Sequence, residues 1–377
     1  MPSVSPSLRR WSTAFAALLL AGCAAAAQAD REAPAAPSAV PFESELESRL
    51  ERQLDDEMAQ VLDSLAALDA RIDDLDSGLD LERMIAAVEA DESSAAERYA
   101  ERQDSEASGA AIDERRSLNA DGRVSINNVA GLVEVTTWNR SEVGIVGRLG
   151  SRDDRLEIQG DSKALSVVVR LPKKARGGDT VLRLQLPAQA VVDVETVSAD
   201  VVVNGARGAL KVNTVSGDVA LSVGSPEVQV QTVSGDLKLD GPVRSTRLNS
   251  VSGDLELSGL GGALSLETVS GNVDLRRGGR FTELQLKSVS GDLRLDVDLA
   301  EAARLGGQTL SGEISLIVPQ ALSGTALLKS FSGEAHCEGA KTVDNHGGKK
   351  REYVWGDGRG ARIELSSFSG DIRVERK

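Results

Sequence analysis

Short runs of alternating apolar and polar residues fill the second half of the chain, and one five-residue phrase interrupts them nine times. The phrase is Thr-Val-Ser-Gly-Asp with small variations, and its serines are Ser198, Ser216, Ser234, Ser252, Ser270, Ser290, Ser311, Ser332 and Ser369. Successive serines lie 18, 18, 18, 18, 20, 21, 21 and 37 residues apart. Alternation with a period of two predicts β-strands, and the near-constant spacing predicts a repeat architecture.

The apolar positions on either side of the phrase predict a corner. Val212 and Val219 both belong to the apolar row, yet the odd number of steps between them would put them on opposite faces of one strand. The chain must therefore turn at the phrase. One coil cannot bury its own apolar row, but coils stacked about 4.8 Å apart can. We predict a mainly β fold: a β-solenoid, similar to a parallel β-helix, with coils of 18–21 residues.

The phrase itself is predicted to be structural. Glycine supplies the unusual backbone angles of a corner, while serine and aspartate can bond to nearby amides. The residues assigned this role are Ser216, Gly217, Asp218, Ser234, Gly235, Asp236, Ser252, Gly253, Asp254, Ser290, Gly291 and Asp292. The residue before the serine changes from Val to Leu310, Phe331 and Phe368, which predicts a core that widens toward the C-terminus.

Stacking would align the acidic residues of the phrase in one column, which Asn272 interrupts. Its acids are Asp200, Asp218, Asp236, Asp254, Asp292, Glu313, Glu334 and Asp371. Neighbouring charges at this spacing repel in water by roughly 0.9 kcal/mol. Calcium would relieve that repulsion, but it prefers about six to eight oxygen ligands and each coil offers two or three. We predict no metal and no other cofactor, with calcium as the alternative.

Charge and composition exclude several functional classes. The formal charge is −15, and residues 41–120 contain 23 acidic and 8 basic residues, so no basic stripe is available for nucleic acid. The two cysteines, Cys23 and Cys337, do not form a disulfide framework, and Cys337 falls on an inward position. His336 falls on an outward one. No nucleophile motif or paired metal ligands occur, so we predict no catalytic residues; a carbohydrate-active β-helix is the less favoured alternative.

The N-terminus has the pattern of an export signal. Arg9 and Arg10 precede an apolar run, and Leu20-Ala21-Gly22-Cys23 resembles the lipobox of bacterial lipoproteins. That resemblance implies a signal peptide over 1–22, acylation of Cys23 and sorting to the outer membrane, on its periplasmic or its surface face. Cleavage after Ala29 is the alternative and would give a soluble periplasmic or secreted protein.

The prolines of residues 23–41 predict a tether, and an acidic helical segment is predicted over 42–105. Within that segment, apolar residues alternate four and three apart over 54–79, as in a coiled coil that would form a homo-oligomer. A helix lying along the open end of the solenoid is the alternative. We predict a linker over 106–122, a solenoid over 123–377, and a polar loop from Lys341 to Arg351 that leaves the stack.

The solenoid resembles the "putative adhesin" family of bacterial β-strand repeat proteins. The likeness lies in the opening Val124-Ser125-Ile126-Asn127-Asn128-Val129, the recurring Ser-Gly-Asp turns, and the close from Gly356-Asp357-Gly358 to Ser369-Gly370-Asp371. The family has no known function, and the resemblance implies a β-helical envelope protein with no catalytic residues to transfer.

We therefore predict a non-enzymatic cell-envelope lipoprotein. Its solenoid would serve as a scaffold for binding or adhesion to an unidentified protein or glycan. Three alternatives stay open: a self-assembling structural protein of the envelope, a regulatory lipoprotein in an envelope-stress response, and the carbohydrate-active enzyme.

Overall fold

The computed structural model describes residues 109–171, 178–346 and 350–377, in which the regular elements are all β-strands. The strands are β1 (Ala111–Ser117), β2 (Arg123–Trp138), β3 (Glu142–Arg148), β4 (Arg155–Gly160), β5 (Ala164–Arg170), β6 (Thr180–Pro187), β7 (Val191–Asn204), β8 (Leu210–Thr214), β9 (Val219–Ser222), β10 (Glu227–Thr232), β11 (Leu237–Asp240), β12 (Ser245–Ser250), β13 (Leu255–Ser258), β14 (Gly262–Ser270), β15 (Val273–Arg276), β16 (Arg280–Ser290), β17 (Leu293–Asp296), β18 (Asp298–Ser311), β19 (Ile314–Val318), β20 (Gly324–Ser332), β21 (Ala335–Cys337), β22 (Lys341–His346), β23 (Lys350–Trp355), β24 (Ala361–Ser369) and β25 (Ile372–Arg376).

The strands form one continuous hydrogen-bonded sheet that bends at each corner into two halves, here called wall 1 and wall 2. Wall 1 contains the strands before the corner, in the spatial order β4-β5-β2-β7-β8-β10-β12-β14-β16-β18-β24-β20-β23-β22. Wall 2 contains those after it, in the order β1-β3-β6-β2-β7-β9-β11-β13-β15-β17-β19-β25-β21. The repeats pair in parallel, which confirms the predicted solenoid.

Aliphatic columns fill the space between the walls. Leu221, Leu239 and Leu257 occupy equivalent positions on neighbouring strands, and each is at most 2% exposed. Val212 and Val219 are likewise buried, although they are an odd number of residues apart. The corner therefore reverses the side-chain alternation as the sequence predicted, and both walls direct their apolar rows into one core.

The sheet begins earlier than the predicted domain boundary at residue 123. Strand β1 lies inside the stretch predicted to be a linker and pairs in antiparallel fashion with β3. Only Ile112 of this strand is buried, and its other positions are mostly charged. Alternation is weak in an edge strand that contributes one side chain to the core, which is why its pattern resembles a linker.

The order of the coils departs from the order of the chain at the C-terminal end. After β18 and β19 the chain continues to the outermost coil, β20 and β21, and returns as β24 and β25. The returning strands insert between those two coils, so Ser369 is in register with both Ser311 and Ser332. The final coil is thus held on both sides. The N-terminal end has a similar arrangement, because β2 lies between β5 and β6 on one side and β7 on the other.

The predicted loop from Lys341 to Arg351 is instead a β-hairpin. Strands β22 and β23 pair with each other, and β23 also pairs in antiparallel fashion with β20. Trp355 and Tyr353 of β23 are buried, at 1% and 6% exposure, so they close the core at this end. The sequence did not indicate the hairpin, because this stretch is basic and contains glycine. The inward aromatic side chains of the hairpin belong only to its second strand.

The position of the inserted coil predicts which introduced cysteine can form a disulfide with Cys337. Val374 lies in register between Leu316 and Cys337. Neighbouring parallel strands are about 4.8 Å apart, within the usual Cα separation of a disulfide, whereas Leu316 is two spacings from Cys337 and out of reach. In a Cys23→Ser background, forced oxidation of Val374→Cys should therefore link it to Cys337, as seen by peptide mass spectrometry. Leu316→Cys should not link; a bond there would mean that coils stack in chain order.

Candidate functional site

The corner glycines allow successive coils to approach closely. Gly217, Gly235 and Gly253 have φ angles of 121°, 114° and 111°, in the region that L side chains rarely adopt. A Cβ atom on Gly235 would lie 2.3 Å from the carbonyl oxygen of Gly217, and one on Gly253 would lie 2.2 Å from that of Gly235. Both conformation and space therefore require glycine at this position.

Hydroxyl groups satisfy backbone groups at the same corner. The Thr214 hydroxyl donates to the carbonyl oxygen of Ser216 at 3.1 Å, and the Ser252 hydroxyl donates to that of Val233 at 3.2 Å. The backbone N–H of Ser216 donates to the carbonyl of Val197 in the preceding coil at 2.6 Å. The sequence analysis assigned no role to Thr214. The Thr or Ser that stands two residues before each corner serine is the sequence signal for this hydrogen bond. Ser234 and Ser290 occupy equivalent corners.

The aspartates form a hydrogen-bonded column, which we call the aspartate column. The backbone N–H of Asp236 donates to Oδ1 of Asp218 at 3.0 Å, and that of Asp254 donates to Oδ1 of Asp236 at 2.9 Å. Asn272 continues the column, since it donates to Asp254 and accepts from the backbone of Asp292 at 3.1 Å. Each of these side chains thus connects one coil to the next, which offsets the repulsion between neighbouring carboxylates.

Longer acids change the column at its C-terminal end. The backbone N–H of Glu313 donates to Oδ1 of Asp292 at 2.9 Å, as the aspartates do in the preceding coils. The carboxylate of Glu313 bonds to the guanidinium of Arg373 in the adjacent coil rather than to a backbone N–H, and the same guanidinium pairs with Asp371 at 3.0 Å. Among the described residues, no three His, Cys, Asp or Glu side chains converge as metal ligands.

Most residues before the corner serines lie outside the core, which corrects the prediction that they widen it; Val197 and Val269 are buried, at 6% and 8% exposure. Val215 and Val233 are half-buried, and Phe331 is 39% exposed. None of these residues belongs to the buried core. They form an apolar column along the outside of the corner. Phe368 and Phe331 end it, with ring centroids 4.9 Å apart and nearly parallel planes. A valine that follows an inward threonine points outward, whatever its hydrophobicity.

The isolated reactive residues hold positions that fit structural roles. Burial raises the pKa of Cys337 to about 12, so the thiol is unreactive near neutral pH. His336 is exposed on the outer side of wall 2. Trp355 donates its indole N–H to the carbonyl of Glu338 at 3.1 Å. Trp138 lies at the end of β2, under the guanidinium of Arg140. Cys23, predicted to be lipidated, lies outside the described residues, as do the predicted tether and helical segment.

The outer face of wall 1 is polar and partly desolvated around Glu195. Burial raises the pKa of Glu195, the nearby charge of Asp193 raises it further, and Lys211 opposes the rise. These three residues lie on the neighbouring strands β7 and β8, with Asp193 and Lys211 directly paired. Within the part of the chain that the structure describes, no helix has the length and apolarity of a membrane span.

The repeat geometry corresponds to a known family. Residues 131–375, well over half of the chain, match the family model described as Toastrack DUF4097, a domain of unknown function. The chain belongs to the Toastrack DUF4097 family. This agrees with the resemblance stated from the sequence, and it fixes the solenoid as a Toastrack domain. No curated protein matches the chain.

Several solved structures are similar to this chain at low identity. A putative adhesin from Bacteroides fragilis NCTC 9343 is 13% identical, with 71% of this chain and 98% of that chain covered and a TM-score of 0.39. A putative lipid binding protein from Parabacteroides distasonis ATCC 8503 is 13% identical, with 71% and 97% covered and a TM-score of 0.31.

Substitution of a corner glycine should destabilise the Toastrack domain strongly. Gly235→Ala places a Cβ against the backbone of the preceding coil and strains the φ angle, so we expect a loss of about 2–4 kcal/mol in the free energy of unfolding. Gly224→Ala is the matched control, because nothing lies within 4 Å of its Cβ. Urea unfolding followed by circular dichroism measures both. Equal losses of stability in the two variants would contradict the close approach of the coils at Gly235.

The aspartate column should depend on an acceptor oxygen rather than on charge. Asp254→Ala removes the acceptor of two bonds from Asn272, so we expect a loss of about 1 kcal/mol. Asp254→Asn keeps an acceptor and removes one repelling charge, so its stability should stay within about 0.5 kcal/mol of the wild type. Urea midpoints compare the two variants. If the asparagine variant is as unstable as the alanine variant, the charge matters instead.

Glu195 predicts a stability change that depends on pH. Because its folded-state pKa is raised, the folded protein loses stability as the pH rises through that pKa and the carboxylate forms. Glu195→Gln should therefore be more stable than the wild type at pH 7, by at most about 1 kcal/mol at this half-exposed site. The advantage should disappear near pH 4. The exposed Glu227→Gln serves as control in the same urea titrations, and a gain independent of pH would refute the assignment.

Proposed function

We propose that this protein is a non-enzymatic scaffold of the cell envelope, exported and anchored through lipid on Cys23, whose Toastrack domain binds a ligand on its outer surface. The observation that carries the proposal is the difference between the interior and the outer surface of the solenoid. Aliphatic columns occupy the interior, while the outer positions repeat at the spacing of the coils. A surface of this kind offers regularly spaced contacts to an extended partner.

The charged residues on the outside of wall 2 support a binding rather than a catalytic role. Lys238 pairs with Glu256 on the next strand at 3.4 Å, and Asp274 pairs with Arg276. Side chains held in opposite-charge pairs on an open surface do not form the pocket of convergent groups that catalysis needs. The one thiol among the described residues is buried and protonated.

The ends of the stack argue against the alternative of end-to-end assembly. Antiparallel strands close wall 1 at both ends: β4 on β5 and β22 on β23. Wall 2 ends in β1, which is rich in charged residues, and in β21, which has three residues. Short or charged edge strands disfavour pairing with a further copy. Light scattering of the purified domain should therefore detect no filaments.

Protease treatment of intact cells that express the full chain tests where the domain faces. Adhesion requires exposure, so we expect cleavage of the Toastrack domain without lysis. A periplasmic marker protein should remain intact in the same samples. Protection of the domain until the cells are opened would contradict an adhesive role and favour a periplasmic one.

The anchor is tested separately by cell fractionation. Cys23→Ser removes the thiol that would be acylated, and we expect the protein to move from the membrane fraction to the soluble one. Ala29→Lys, which blocks the alternative cleavage site, should leave the membrane fraction unchanged. The reverse outcome would favour cleavage after Ala29 and a soluble protein.

A further inference from the structure

Three neighbouring strands of wall 1 bring six polar side chains together on the outer face. Strands β2, β7 and β8 pair in parallel, and each contributes two outward residues in register. We call this set the polar block; its members are Ser125, Asn127, Asp193, Glu195, Lys211 and Asn213. With strands about 4.8 Å apart and alternate residues facing outward, the block forms a compact patch.

Several polar atoms of the block are buried without a hydrogen-bond partner. Asn213 is 5% exposed, and neither its Oδ1 nor its Nδ2 has a partner. Oδ1 of Asn127 and Oδ1 of Asp193 are also unpaired. A buried polar group without a partner costs about 1–3 kcal/mol. This cost contrasts with the corners, where Thr214 has a hydrogen-bond partner.

The flanking side chains explain the burial of Asn213. It lies between Glu195 and Gln231, which are both longer, on the neighbouring strands. Beyond the block toward the corner comes Val215, a half-buried member of the apolar column on the outside of the domain, whereas Val197 on the preceding strand is only 6% exposed. The patch therefore joins unsatisfied donors and acceptors to an adjoining apolar strip.

We propose that the polar block binds a neutral polyhydroxylated chain, a glycan, whose hydroxyl groups pair with Asn127, Asp193 and Asn213 and whose C–H faces pack on Val215. The proposal rests on the binding function proposed above and names its ligand class. Hydroxyl groups can donate to the free oxygens and also accept from the Asn213 amide, so one ligand satisfies both.

Charge and backbone pairing exclude the competing ligand classes. The block contains two carboxylates and one ammonium group, so its net negative charge disfavours anionic ligands. A peptide that binds a sheet normally adds to a free strand edge. Strand β7 has no free edge here, because β2 lies on one side and β8 and β9 lie on the other.

Binding of the full chain to immobilised neutral polysaccharides tests the proposal. The probes are dextran, starch, mannan, xylan and galactan, with dextran sulfate as the anionic arm and unfolded casein as the peptide arm. Asn213→Leu keeps the branched shape of the side chain and removes the amide, and Asn127→Leu does the same on β2. Asn204→Leu is the matched control, because Asn204 is an exposed amide on wall 2.

We expect the wild type to bind at least one neutral polysaccharide. Asn213→Leu and Asn127→Leu should weaken that binding tenfold or more, and Asn204→Leu should change it less than twofold. Asn213→Leu should also melt at the same or a higher temperature than the wild type, since it removes an unsatisfied amide. An asparagine with a purely structural role would not lose affinity while gaining stability.

Three results would overturn the proposal: no binding to any neutral probe, binding confined to dextran sulfate or casein, or full affinity in Asn213→Leu and Asn127→Leu. The protease test on intact cells separates this failure from failure of the proposed function. Surface exposure without polysaccharide binding would refute the glycan site alone. A protected domain that still binds polysaccharide would refute the adhesive role and leave the site standing.

Discussion

The close approach of one backbone to the next at each corner is the constraint on which the rest of the structure depends. A carbonyl oxygen of the preceding coil lies 2.1–2.5 Å from where a Cβ atom of the corner glycine would be, from Gly217 to Gly312. Only glycine permits this contact, and it sets the spacing at which the strands of both walls can pair. The aspartate column then bonds each coil to its neighbour across the same corner.

Much of this followed from the sequence, because a period of 18 residues and a parity change between Val212 and Val219 leave few alternatives to stacked coils. The sequence could not reveal the order of the last coils. Every Ser-Gly-Asp corner is nearly equivalent, so the pattern near Ser332 and Ser369 fits either order of stacking. The insertion depends on the β22–β23 hairpin, whose inward aromatics, Tyr353 and Trp355, alternate in one strand only.

The functional residues were predicted unevenly for a similar reason. The corner residues recur in each coil, so their role is visible as a repeat. The polar block does not recur: Asn127, Asp193 and Asn213 lie in different coils and share only a register across strands. Hydrophobicity also misled the assignment of Val215 and Phe331, since the corner turns them outward. A surface site on a solenoid is defined by stacking, which a single sequence does not display.

Hydrogen exchange at the corners tests the central claim most directly. The backbone N–H groups of Asp218, Asp236 and Asp254 lie in exposed turns, yet each donates to the carboxylate of the preceding coil. Native-state exchange with residue-level mass spectrometry should therefore find these amides protected to about the same degree as the adjoining strand amides. Exchange at the rate of an open loop, with the strands still protected, would show that the coils are not held together at their corners.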